Sequence, residues 1–392
     1  MKNLHKVLAP VGAAIMTVAC QPGANNETHG RPMGLDPDSF GIATVDGQEV
    51  KLFSLKNSNG CLAQFTNLGA KMVSLYMPDA KGEMCDIVFG YATAAEYAEC
   101  DNATGKGEPF FGATIGRYGN RIAGGKFNID GTEYQLSQNE SGNCLHGGSR
   151  GFYSQVFFAE LKGDTAITFS RTSPDGEMGF PGNLDVKVTY TLTSQNAIAI
   201  SYEATTDKPT VVNLTNHSFF NLAGEADTTI NDEVIQIFAD NITPVDGSLI
   251  PTGELMPVEG TPFDFRSGRM IGDSLASSHP QIVLGNGYDH NFVLNSDVEE
   301  NGLRKAAIVT DNQSGRVMTV FTSEPGIQFY AGNFINSTQT GKCGHKYPFR
   351  SALCLETQHF PNSPNIPAFP TTRLNPGETY THTCVYAFST TK

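Results

Sequence analysis

The chain has 392 residues and a formal net charge of −14, from 26 basic and 40 acidic side chains. That balance argues against a nucleic-acid partner, and no Lys/Arg cluster is present that would hold a phosphate or a carboxylate. With 39% hydrophobic residues, 41 glycines and 21 prolines, the chain can bury a sizeable core between many turns, and its length suits one large all-β domain as well as two average ones.

Residues 1–19 read as a signal peptide. Lys2, His5 and Lys6 give a basic start, and the apolar run from Val7 to Ala19 is shorter than the roughly 20 residues of a membrane-spanning helix. Small Ala19 precedes Cys20, and MTVAC resembles a bacterial lipoprotein lipobox, with Thr17 where leucine is usual. The expectation is an exported protein, periplasmic or held at a membrane through a lipidated Cys20. Plain secretion and an uncleaved anchor are the alternatives. Residues 20–39 are polar and rich in Gly, Pro and Asn, and read as a flexible tether. The folded domain is expected over residues 40–392.

From about Gly41 onward the pattern is strand and turn. TAAEYAE, at residues 93–99, predicts one short helix. KFNIDGTEYQLS reads as a hairpin around Asp130-Gly131. The clearest stretch is DVKVTYTLTSQNAIAISYEATTD. Val186, Val188, Tyr190 and Leu192 share one parity, as do Ile198, Ile200 and Tyr202 beyond the turn, which predicts a hairpin with one buried face per strand. AAIVTDNQSGRVMTVFTS predicts another. Helical periodicity and internal repeats are scarce, so the fold class is all-β, a large antiparallel sandwich whose second face could be open to a ligand. Seven cysteines follow Cys20 at wide spacings without a CxxC. They form neither a zinc ribbon nor a dense disulfide framework, although one or two bridges are compatible with export.

Three segments carry candidate chemistry. In VVNLTNHSFF, Asn213, Thr215 and His217 share one parity and form a polar stripe, which fits either a solvent-facing edge or a working histidine. In ALCLETQHFPNSPNIP, Glu356 ends an apolar strand and shares parity with small Ala352 and Cys354. A carboxylate there is costly unless paired or useful, and small neighbours leave room for a ligand. Two such groups form a candidate acid–base pair. In FFGATIGRYGNRIAGGKF and the following NCLHGG, Asn120 and Arg121 offer donors suited to sugar hydroxyls, and His146 is ambiguous. No phosphate-loop pattern, no HExxH and no close group of metal ligands is seen.

GRYGNRIAGGKF, LHGG, NLTNHSFFNLAG, GYDHNFVL, GIQFYAGNF and ETQHFPNSPN occur in this order. Together they resemble the aldose 1-epimerase (galactose mutarotase) family, from about Phe40 to Phe388. The resemblance implies a β-sandwich with a neutral monosaccharide in an open cleft and no metal or organic cofactor. It implies Glu356 as general base and His217 as general acid, acting as carboxylate and imidazolium. Asn120, Arg121, His146, Asp289 and Gln328 match sugar-binding positions. The competing readings are a non-catalytic sugar-binding sandwich and a glycoside hydrolase, whose chemistry wants two carboxylates across the bond.

Overall fold

A computed structural model describes residues 33–100, 109–225, 229–297 and 301–391. The expected signal peptide and Cys20 lie outside the described residues. The predicted hairpins form as strands Leu184–Leu192 and Ala197–Thr206, Lys126–Ile129 and Thr132–Gln135, and Arg304–Thr310 and Arg316–Thr322. In the first, Leu184, Val186, Val188, Tyr190 and Leu192 are buried, while the residues between them are exposed or half-buried. Period-2 patterning places the apolar set on one face, and fully burying each such side chain contributes about 1.5–3 kcal/mol.

This hairpin lies within a nine-stranded antiparallel sheet. A four-stranded antiparallel sheet runs over Leu52–Lys56, Leu62–Thr66, Lys71–Pro78 and Met84–Asp86. A five-stranded antiparallel sheet contains, side by side, Asp289–Leu294, Gly326–Tyr330 and Cys354–Gln358. All three contribute to one apolar core, including Phe65, Val188, Ile200 and Phe329. The predicted short helix forms at Ala94–Glu99, capped reciprocally by Thr93 and Glu96.

One expectation is corrected here. Residues 33–39, assigned to the tether, are docked on the domain. Leu35 N–H donates to Gln64 Oε1 at 2.7 Å and Gln64 Nε2 donates back to Leu35 O at 2.8 Å. Asp36 then caps a helical turn, Pro37–Phe40, which buries Phe40. An Asp followed by Pro is a helix-start signal, legible in LDPDSF once read that way. Cys61, Cys144, Cys354 and Cys384 are buried free thiols.

Candidate active site

The five-stranded sheet sorts its side chains by parity. Phe292, Leu294, Ile327, Phe329 and Leu355 face the main core. The opposite parity carries Asp289 and Asn291 on one strand, Gln328 and Tyr330 on the next, and Cys354 and Glu356 on the third. The pairing sets Asp289 against Tyr330, Asn291 against Gln328, and Gln328 against Glu356. Alternation therefore gives the sheet a second, largely polar face.

His217 reaches that face from a different sheet. Its strand, Thr215–His217, pairs with Ala113–Ile115 and is buried on both sides. The polar stripe is therefore interior, not solvent-facing. Beyond the strand, Phe220 and Leu353 exchange backbone hydrogen bonds of 2.8 Å in an antiparallel bridge. Three residues back from Phe220 and three on from Leu353 lie His217 and Glu356, so the register of that bridge brings them opposite each other. His217 Nε2 lies 3.7 Å from Glu356 Oε1.

Both groups are nearly sealed: His217 is 5% exposed and Glu356 2%. Phe219 stacks on the imidazole with ring centres 5.0 Å apart, and Phe110 lies at 5.6 Å. Burial pushes the His217 imidazolium down to about 3. Burial, and then the nearby Asp289 charge, push the Glu356 carboxyl well up, with Arg121 opposing. Both shifts favour the uncharged pair, neutral His217 with the proton on Glu356. Small Cys354 makes room for the imidazole itself, its Sγ lying 3.5 Å from His217 Nδ1.

The GRYGNR and LHGG segments close the next side. Asn120 and His146 both adopt positive φ, 63° and 52°. They are tied reciprocally: His146 N–H donates to Asn120 O at 3.1 Å, and Asn120 N–H donates to His146 Nδ1 at 3.2 Å. The following Gly147, at φ 87°, is required sterically, since a Cβ there would meet Gly116 O at 1.9 Å. Because its Nδ1 accepts, neutral His146 carries its proton on Nε2. Burial first, then His217 and Arg121, hold it well below the usual imidazole range. Arg121 is fixed by Glu140, which accepts from Nε and Nη2 at 3.2 Å each. Nothing in the spacing of QNESGNCLHGG singled out Glu140.

These groups meet in one open cavity of about 270 Å³, lined by Asn120, Arg121, His146, His217, Asp289 and Glu356 among polar residues, and by Phe110, Phe219, Tyr330 and Phe334 among aromatics. Six of the seven candidate residues line it. Gln328, beside Glu356 on the same polar face, donates from Nε2 to Asp289 Oδ1 at 2.8 Å. Burial raises the Asp289 carboxyl. The loop residues Ile335, Asn336 and Gln339 form a further wall that the motifs did not flag.

His146, His217 and Glu356 also bring three ligand atoms within 4.8 Å of one another, a convergence the scattered sequence positions concealed. The donor chemistry fits a metal poorly. His146 Nε2 bears the proton while Nδ1 is engaged, which leaves it no lone pair to offer. The same N–H suits a sugar hydroxyl.

The fold and the cavity find counterparts in known proteins. The profile of the family described as aldose 1-epimerase matches residues 51–387. Human galactose mutarotase is 44% identical over 350 residues, covering 89% of this chain and 97% of that one. The aldose 1-epimerase of Escherichia coli K12 is 38% identical over 345 residues, covering 88% and 96%. Among solved structures, the GalM/aldose epimerase homologue from C. elegans superposes with a TM-score of 0.79 at 29% identity, covering 88% of this chain and all of that one. Galactose 1-epimerase from Lactobacillus acidophilus gives 0.76 at 28%, covering 89% and 97%. Spanning nearly the whole folded region, these matches show that the chain belongs to the aldose 1-epimerase family.

Proposed function

We propose that the protein interconverts the α and β anomers of a neutral aldose such as galactose or glucose, with Glu356 and His217 moving the protons. The observation that carries this reading is the placement of His217 Nε2 3.7 Å from Glu356 Oε1 inside a sugar-sized cavity edged by hydroxyl-binding side chains. A separation of 3.7 Å exceeds a hydrogen bond, so a hydroxyl of the bound sugar carries the single shared proton from Glu356 to His217. The carboxylate then takes the anomeric O1 proton while the imidazolium gives its Nε2 proton to the ring oxygen. The bond between C1 and the ring oxygen breaks and an aldehyde forms. Rotation about C1–C2 presents the other carbonyl face. Closure reverses both transfers, with His217 as base and Glu356 as acid. Each positioned transfer contributes typically about 10²–10⁴-fold.

His146 donates its fixed Nε2–H to a hydroxyl. Arg121, with Nε and Nη2 committed to Glu140, offers its remaining donors. Asp289, steadied by Gln328, accepts from the far side of the ring, and Asn120 completes that set. Polarimetry over a panel of aldoses tests the reading. Acceleration of α-to-β conversion beyond the spontaneous rate, unaffected by EDTA, is expected. Hydrolysis of a chromogenic glycoside without mutarotation would favour the hydrolase instead.

The leader supports a second proposal, that the protein is exported and anchored through a lipidated Cys20. Mass spectrometry of the mature N-terminus tests it. An acylated Cys20 is the expected result, and an intact Met1 contradicts it.

A further inference from the structure

Resting on the proton-transfer reading above, we propose that Cys354 is a positioning residue that accepts the Nδ1 proton of His217, so that Nε2 alone exchanges protons with the sugar. The catalytic cycle fixes what His217 needs. Its imidazolium gives up the Nε2 proton and later recovers it, so Nδ1 must keep its proton throughout. A proton kept on a buried nitrogen needs an acceptor behind the ring. Cys354 Sγ occupies that position, 3.5 Å from Nδ1, on the strand that also carries Glu356 two residues on. Both residues are buried, Cys354 completely.

The register makes this contact a consequence of the fold. His217 stands opposite Glu356, so Cys354 is its diagonal neighbour on the same face, within side-chain reach. A thiol also suits the chemistry. It is a weak acceptor without charge, whereas a carboxylate in that place would draw the shared proton onto His217 permanently and would lie close to Glu356. Burial, with Glu356 and Asp289 nearby, pushes the Cys354 thiol well up, so it stays neutral. The two histidines of the cavity consequently hold opposite tautomers. His146 accepts at Nδ1 from a backbone N–H and presents a permanent Nε2–H. His217 donates at Nδ1 and presents an Nε2 free to titrate.

Long-range ¹H–¹⁵N spectra of ¹⁵N-histidine-labelled protein at neutral pH read the tautomer directly. The wild type should show His217 with a protonated Nδ1 and a pyridine-like Nε2, and His146 the reverse. Cys354→Ala should populate the Nε2–H tautomer of His217 and lower kcat by about 3- to 10-fold, the worth of one ordinary hydrogen bond, with KM unchanged. Cys354→Ser, which restores an acceptor, should recover most of both. A wild-type His217 protonated at Nε2, or a Cys354→Ala enzyme with unchanged kcat and tautomer, would overturn the proposal. An Nδ1–H tautomer in a protein without any mutarotation would sink the functional reading and, with it, the exchange at Nε2, leaving only the hydrogen bond from His217 Nδ1 to Cys354 Sγ.

Discussion

Removing Glu140 isolates the part of sugar binding that rests on an ion pair. Glu140→Ala deletes both bonds to Arg121, each 3.2 Å long, from side chains that are 28% and 9% exposed respectively. Hydrogen bonds to charged groups are worth about 1.5–3 kcal/mol. Strong charge-assisted contacts are shorter, about 2.7–2.9 Å, and solvent reaches this pair in part, so the lower end applies. About 1.5 kcal/mol corresponds to roughly tenfold in kcat/KM. The loss should fall on KM, because in the proposed reaction Arg121 grips a hydroxyl alike in the closed ring and in the transition state. Glu140→Gln, which keeps one acceptor oxygen, should lose about threefold on the same scale. Initial polarimetric rates over a range of galactose concentrations separate KM from kcat. A Glu140→Ala enzyme with KM within twofold of wild type, or one in which kcat falls instead, would refute this account of Arg121.

The pH profile follows from the shared proton. Burial lowers the His217 imidazolium to about 3, so a second proton enters the pair, and blocks the base, only near that pH. The Glu356 carboxyl is raised by burial and Asp289, so the one working proton leaves only well above the ordinary carboxylate range. With spontaneous mutarotation subtracted, kcat/KM should therefore show no fall as the pH drops from about 7 to 5, where an unperturbed histidine would gain its proton; a tenfold-per-unit decline there would contradict it. In the core, Ile200→Ala, at a fully buried position, should cost about 2–5 kcal/mol in urea unfolding while leaving kcat per folded molecule intact. A cost under about 1 kcal/mol would mean that the nine-stranded sheet packs less tightly than described.

The hairpins and the all-β class were legible because strand burial has a period of two, and Val186 through Leu192 obey it without exception. The two faces of the Glu356 strand were legible for the same reason. The convergence of the site was not. His217 sits on a three-residue strand paired with Ala113–Ile115, and it meets Glu356 only through the Phe220–Leu353 bridge, a contact across more than 130 residues. Spacing in one sequence carries no trace of such a register. The family resemblance supplied the residue set instead. Glu140 escaped notice, and Cys354 was read only as a small neighbour of Glu356, because their importance lies in what they touch, Arg121 and the back of His217. Residues 33–39 were misread because composition outweighed the Asp36-Pro37 helix signal.

The most direct measurement is polarimetry of Glu356→Gln beside a galactose-binding titration of the same variant. Glutamine keeps the shape but cannot take the anomeric proton. The account predicts that interconversion of α- and β-galactose slows by about 10²–10⁴-fold while binding survives within several-fold. Interconversion at the wild-type rate would contradict it.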